Sequence, residues 1–156
     1  EEGQSIKVLL LEAELCCEIE VKYLSFPIKI AGKVDRIEER NGTIRIIDYK
    51  TGKVLGNSLK INDFTDLTSD IKNEKIIQLL CYALMFENHE LKQNREVSAG
   101  IISFKNMKSG FLPFGLGKGK DADVVISIEI LEDFKSELET LIVEIFNPEI
   151  PFKEKV

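Results

Sequence analysis

Asp35, Asp48 and Lys50 are residue types that could handle a phosphate ester: two carboxylates suit a divalent cation, and an amine can balance developing negative charge. They matter only if the chain brings them together. Asn41-Gly42 is a strong hairpin signal, and the runs on either side of it, Ile28 to Arg40 and Thr43 to Lys50, read as strands. With Asn41 and Gly42 at the centre of a type I′ turn, Arg40 faces Thr43 and Asp35 faces Asp48. Directly opposed residues have Cβ atoms about 4.5–5.5 Å apart, and like charges there destabilise. At an effective dielectric near ~20, two carboxylates ~5 Å apart repel by about 3 kcal/mol, a large share of a domain's margin.

A cation between them would turn that repulsion into coordination, and Mg²⁺ commonly uses one or two carboxylates together with water and substrate phosphate. The same register sets Glu38 opposite Arg45 on the other face, a favourable pair. Lys50 shares the face of Asp48, about 6.6–6.8 Å further along. An ion held there could polarise a phosphate and activate water while Lys50 steadies the charge. D-x-K alone is a common string, and an exposed acid pair softened by Lys33 and Lys50 is the ordinary reading of one. Here the tripeptide ends an apolar strand, Ile44, Ile46 and Ile47, with a partner acid placed by a recognisable turn, which favours a site.

Positioning falls to the remaining elements. Residues 6 to 24 are rich in Val, Ile, Leu and Cys, and Glu18 to Tyr23 alternates as a half-buried strand does. Residues 51 to 70, with Gly52, Gly56, Asn57, Asn62 and Asp63, read as a long loop with one short ordered turn. Asn73 to Glu87 reads as a largely buried helix, Val97 to Phe104 as a strand and Gly110 to Gly119 as a glycine-rich turn region. Val124 to Ile130 alternates like another strand, and Leu131 to Phe146 carries a helical apolar stripe. The pattern gives an α/β or α+β sandwich with a mixed sheet.

The chain of 156 residues fits one domain, and no apolar run reaches the roughly 18 residues of a membrane span. With no secretory signal, a cytoplasmic setting is expected. Three cysteines, including Cys16-Cys17, form no even framework and are expected as buried thiols. The net charge of −6 disfavours a nucleic-acid coat protein but suits a site built of carboxylates and metal. From Ile101 to Lys120 there are four lysines and no acid, either a face for a polyanion or a solvated loop.

Gly32-Lys33-Val34-Asp35-Arg36-Ile37-Glu38, followed by Ile46-Ile47-Asp48-Tyr49-Lys50-Thr51-Gly52, resembles the G-x-[IV]-D-R-[IV]-D and D-Y-K-T-G motifs of RecB/AddB-like nuclease domains in the PD-(D/E)XK superfamily. Gln78-Leu79-Leu80-Cys81-Tyr82 resembles their Q-x-x-x-Y motif, and the ordered combination is far more specific than any one motif. The resemblance implies a restriction-endonuclease-like α/β (α+β) core, a mixed central sheet flanked by helices. It also implies a DNA nuclease of repair and recombination that uses Mg²⁺ or Mn²⁺.

By that resemblance Asp35 and Asp48 would bind the metal with the carbonyl of Tyr49, and Lys50 would be the catalytic lysine. Gln78 and Tyr82, four apart on one helix face, would line the cleft. Arg36 faces away from Asp35, so a structural role is expected. Relatives usually carry another metal-facing Glu or His on a helix before the first strand, a role that neither Glu12 nor Glu14 takes, so that ligand is expected upstream. An iron-sulfur cluster, known in some relatives, would belong only to a longer chain. Residues 1 to 156 are thus read as a single nuclease-like domain, a fragment of a longer protein, with DNA and a helicase region or subunit as partners and no membrane. The alternative is an inert nuclease-fold module that binds DNA or scaffolds a helicase-nuclease complex. His89, after the helix, is expected at the surface.

Overall fold

A computed structural model describes residues 5–154. Strands β1 (Ile6–Ile19), β2 (Ile28–Arg40) and β3 (Thr43–Lys50) form an antiparallel meander. After β4 (Lys60–Ile61) come helix α1 (Glu74–Phe86), β5 (Val97–Ser103), β6 (Phe111–Pro113), β7 (Gly115–Leu116) and helix α2 (Ile128–Phe146). β5 lies parallel to β3 and β6 lies antiparallel outside it, giving the sheet order β1-β2-β3-β5-β6, while β4 and β7 make a separate parallel pair. Two parallel neighbours need a crossover, and α1 supplies it. The result is an α+β fold with a mixed five-stranded sheet, consistent with the restriction-endonuclease-like core expected from the motifs.

The hairpin follows from its turn. Asn41 and Gly42 have φ of 52° and 83°, the two positive values a type I′ turn requires. The ladder then runs from Arg40 opposite Thr43 to Arg36 opposite Ile47, with Glu38 opposite Arg45. On β3 the even positions Ile44 and Ile46 are fully buried in the core between sheet and helices. Alternation continues that face to Asp48 and Lys50, so the acid and the amine stand where the apolar core ends. From α1, Leu79, Leu80 and Phe86 press onto this face, and α2 adds Phe134, Leu138 and Ile142.

Several expectations need correction. Val124 to Ile130 is not a strand: Ser127 caps α2 by accepting from the Ile130 N–H at 3.3 Å, and the chain is helical from Ile128. A cap followed by a 3.6-residue apolar stripe outweighs a short alternation. β1 ends at Ile19, before the alternation of Glu18 to Tyr23 is complete, because Tyr23 takes φ 77° in a turn closed by Leu24 N–H on the Val21 carbonyl. The glycine-rich stretch 110 to 119 holds two short strands, β6 and β7. β6 packs close only because Gly100 lacks a Cβ, which would lie 2.4 Å from the Leu112 carbonyl and 2.6 Å from the Phe111 ring. The 51 to 70 segment carries one 3₁₀ turn, Gly56–Leu59, and adds the short strand β4 after it.

The cysteines are free but not all buried. Cys16 is exposed and Cys17 half-buried, as adjacent strand residues must face opposite ways, and Cys81 is half-buried. His89 is half-buried, stacked on Phe86 at 5.1 Å, with Nδ1 accepting from the Leu91 N–H. Among the described residues no helix is long and apolar enough to cross a membrane.

Candidate active site

Asp35 owes its position to an irregularity in two strands. On β2 the inward positions pass from Gly32, under Tyr82 and Met85, through Val34 to Ile37, a step that breaks strict alternation beside Asp35. On β1 the ladder pairs Leu11 with Arg36 and Ala13 with Val34, and Glu12 between them has φ 47°. The β2–β3 ladder ends at Arg36 and Ile47, one pair short of Asp35 and Asp48. There the Asp35 carboxylate takes the place of backbone: its Oδ2 accepts from the Tyr49 N–H at 2.8 Å. A strand residue's N–H and C=O leave on the same side, so the Tyr49 carbonyl also emerges on the edge that Asp35 occupies.

From Asp48 a polar chain crosses to α1. Lys50 Nζ lies 2.8 Å from Asp48 Oδ2 and donates to Gln78 Oε1 at 2.8 Å, and Gln78 Nε2 donates to the Tyr82 hydroxyl at 2.9 Å. Lysine has donors only, so it fixes the Gln78 amide with its oxygen toward Lys50 and its nitrogen toward Tyr82. The spacing of four places Gln78 and Tyr82 on one helix face. The structure thus gathers Asp35, Asp48, Lys50, Gln78 and Tyr82 where the end of β3 meets α1.

The electrostatics are tense. Asp48 is 4% exposed, and burial pushes its carboxyl above the usual range; Lys50 opposes the shift and the Asp35 charge adds to it. Its Oδ2 is buried and faces the Lys50 ammonium 2.8 Å away. Burial likewise raises the Tyr82 hydroxyl, with Asp48 and Asp35 adding to the rise and Gln78 opposing it, so the phenol keeps its proton at neutral pH.

These donors fit a hard divalent cation. Asp35 and Asp48 offer carboxylate oxygens beside the Tyr49 carbonyl, a hard oxygen set whose two like charges Lys50 offsets in part. Among the described residues no group of three or more His, Cys, Asp or Glu gathers to hold an ion, so water and phosphate oxygens would complete its shell.

The opposite face of β3 is structural. Arg36 donates from Nε to Glu38 at 2.8 Å, Arg45 lies 4.5 Å over the Phe111 ring, and Tyr49 stacks on Phe104. Sequence reasoning missed the role of the β5 end. Ser103 pairs with Lys50, and its hydroxyl donates to the Gly52 carbonyl at 2.7 Å, tying down the chain that leaves the acidic strand. The succession of strand, helix and strand was the signal for that parallel pairing. A groove of about 810 Å³ near Arg45 and Phe111 shares no lining residue with the acidic cluster. The cluster lies at the C-terminal end of β3, where Asp35, Lys50 and Gln78 are half-buried and Asp48 and Tyr82 are buried.

A search of curated proteins and of solved structures gives no match. A family model of the PD-(D/E)XK nuclease superfamily matches residues 6–156. That span contains both acidic strands, the amine and the helix carrying Gln78 and Tyr82, and the chain belongs to the PD-(D/E)XK nuclease superfamily.

Proposed function

We propose that this chain is a RecB-like, metal-dependent deoxyribonuclease domain that hydrolyses phosphodiester bonds in DNA repair and recombination, alongside a helicase region. Superfamily membership supports nucleic-acid hydrolysis. The motif order, with D-Y-K-T-G and then Q-x-x-x-Y, supports the RecB-like kind. One observation carries the reading: the buried Asp48 carboxylate and the Asp35 carboxylate stand together at the end of β3, with the Lys50 ammonium 2.8 Å from Asp48.

Asp35, Asp48 and the Tyr49 carbonyl would hold Mg²⁺ or Mn²⁺. Such an ion supplies polarisation of the scissile phosphate and a more acidic bound water. Lys50, held from one side by Asp48 and from the other by Gln78, presents its remaining donor capacity to phosphoryl oxygens as charge builds there. Gln78 fixes the ammonium, and Tyr82 fixes Gln78. Calorimetric titration with Mn²⁺ tests the metal assignment: weak binding is expected, and Asp35→Asn should abolish it. An unchanged heat signal in that variant would overturn the assignment.

The absence of a third metal-ligating side chain among the described residues favours a second reading, a nuclease-fold module that binds DNA or scaffolds a complex without turnover. Binding of DNA without cleavage in Mn²⁺ would select it.

A further inference from the structure

The outer face of the sheet, turned away from both helices, carries more than fold contacts. Near the Asn41-Gly42 turn it opens into the groove of about 810 Å³, whose floor is Thr43 and Arg45 of β3, Ser98 of β5, and Phe111 and Pro113 of β6. Register explains this set. Arg45 pairs with Ser98, and Gly100, two residues further on, pairs with Pro113, so three strands present one face there. Asp48 and Lys50 lie at the far end of β3 on the other face, and the chemistry above uses nothing in the groove.

The groove is preformed. Val124 and Val125 make one wall on a strut held at both ends: Asp123 exchanges two 2.8 Å backbone hydrogen bonds with Leu116, and the Ile126 N–H donates to the Val97 carbonyl at 2.8 Å. Val124 is exposed on that strut. Phe111 is locked over Gly100, where a Cβ would lie 2.6 Å from its ring, and Arg45 lies 4.5 Å over the same ring, which keeps the guanidinium in the floor. The lining is also cationic. Arg40, Arg45 and Lys108 face a single acid, Glu96, in a chain whose net charge is −6. Glu38, opposite Arg45, is already balanced by Arg36, which reaches it at 2.8 Å from Nε and 2.6 Å from a second nitrogen.

A surplus of cations beside a phenyl ring and two valines is complementary to a ligand with both carboxylates and aliphatic groups. A duplex presents phosphates and sugars but nothing aliphatic for Val124, Val125 and Pro113, whereas a peptide supplies both. We propose that this groove docks an acidic segment of a partner protein, whose carboxylates meet Arg40, Arg45 and Lys108 while its aliphatic side chains cover Val124 and Val125. Fixed walls keep the ordering cost of such binding low. The inference is independent of the nuclease reading, and it leaves the acidic cluster open while the partner is held.

Titration of the isotope-labelled chain, read by its amide resonances, tests this apart from cleavage. A short peptide repeating Glu-Glu-Leu should bind saturably and shift the amides of Arg45, Ser98, Gly110 and Phe111, with those of Asp48 and Lys50 unmoved. Repeats of Glu-Glu-Ser or Lys-Lys-Leu each lack one of the two features and should bind at least about tenfold more weakly. Arg45→Gln should weaken the Glu-Glu-Leu peptide by roughly tenfold or more, through loss of a charged donor. Lys108 is exposed, so Lys108→Glu keeps the fold, and it should weaken binding at least about twofold. Absence of saturable shifts, shifts centred on Asp48, equal binding of the serine repeat or undiminished affinity in Lys108→Glu would overturn the proposal. Displacement of the peptide by a short DNA would give the groove to nucleic acid, and self-association of the chain that Lys108→Glu abolishes would give it to the acidic α2 of a second copy; either result overturns it as well.

Discussion

Gln78 is the joint through which α1 reaches the acidic strand, and Gln78→Leu removes its polar atoms at similar size. The Lys50 ammonium then loses the acceptor 2.8 Å away and is held by Asp48 alone. A hydrogen bond to a charged group contributes about 1.5–3 kcal/mol. If that restraint acts mainly when Lys50 meets developing phosphoryl charge, kcat should fall roughly 10- to 150-fold at about 1.36 kcal/mol per decade. KM should stay within about twofold, because Gln78 acts through Lys50 as a positioning residue. Tyr82 also loses its 2.9 Å donor, a neutral bond contributing about 1 kcal/mol, so Tm should drop by about 2–4 °C. Initial rates on DNA in Mn²⁺ across a substrate range, together with thermal melts, separate the two effects. A folded variant with undiminished kcat would refute the relay from α1 to Lys50.

Asp48→Asn should raise the Tm of the metal-free protein at neutral pH. Burial raises the folded carboxyl, so the native state binds its proton more tightly than the unfolded chain; stability falls as pH climbs past the ordinary value near ~4 and through the raised one. The advantage of Asn should therefore vanish below that range, and Mn²⁺ should stabilise only the native chain; melts against pH check both. Maleimide at neutral pH should label exposed Cys16 first and Cys81 only on unfolding, since burial, with Cys17 adding, pushes the Cys81 thiol up to about 11; mass spectrometry reads the order. Gly100→Ala should lower Tm by about 2–12 °C, from about 1–3 kcal/mol of overpacking, because its methyl would meet Leu112 backbone 2.4 Å away.

The features legible in the sequence were local. Asn41-Gly42 specifies a turn with two positive φ values, and a period of two carries that register from Arg40 and Thr43 toward the acids. The Gln78 to Tyr82 spacing is likewise a property of one helix. What escaped depends on distant partners or on backbone strain. The end of β5 beside Lys50 arises from a parallel pairing across more than fifty residues. The reach of Asp35 to the Tyr49 N–H depends on an interruption opposite Glu12, and a glutamate at positive φ has no compositional mark. At Val124 to Ile130 two local signals competed, and the Ser127 cap won because the helix it starts buries Phe134 and Leu138.

The central claim is that the carboxylates at 35 and 48 and the amine at 50 form one hydrolytic centre. Its most direct test is metal-dependent cleavage of DNA by Asp48→Ala, with circular dichroism confirming the fold. Cleavage in Mn²⁺ by the native chain and none by the variant, at unchanged ellipticity, is the expected result. Equal cleavage by the two proteins would contradict it.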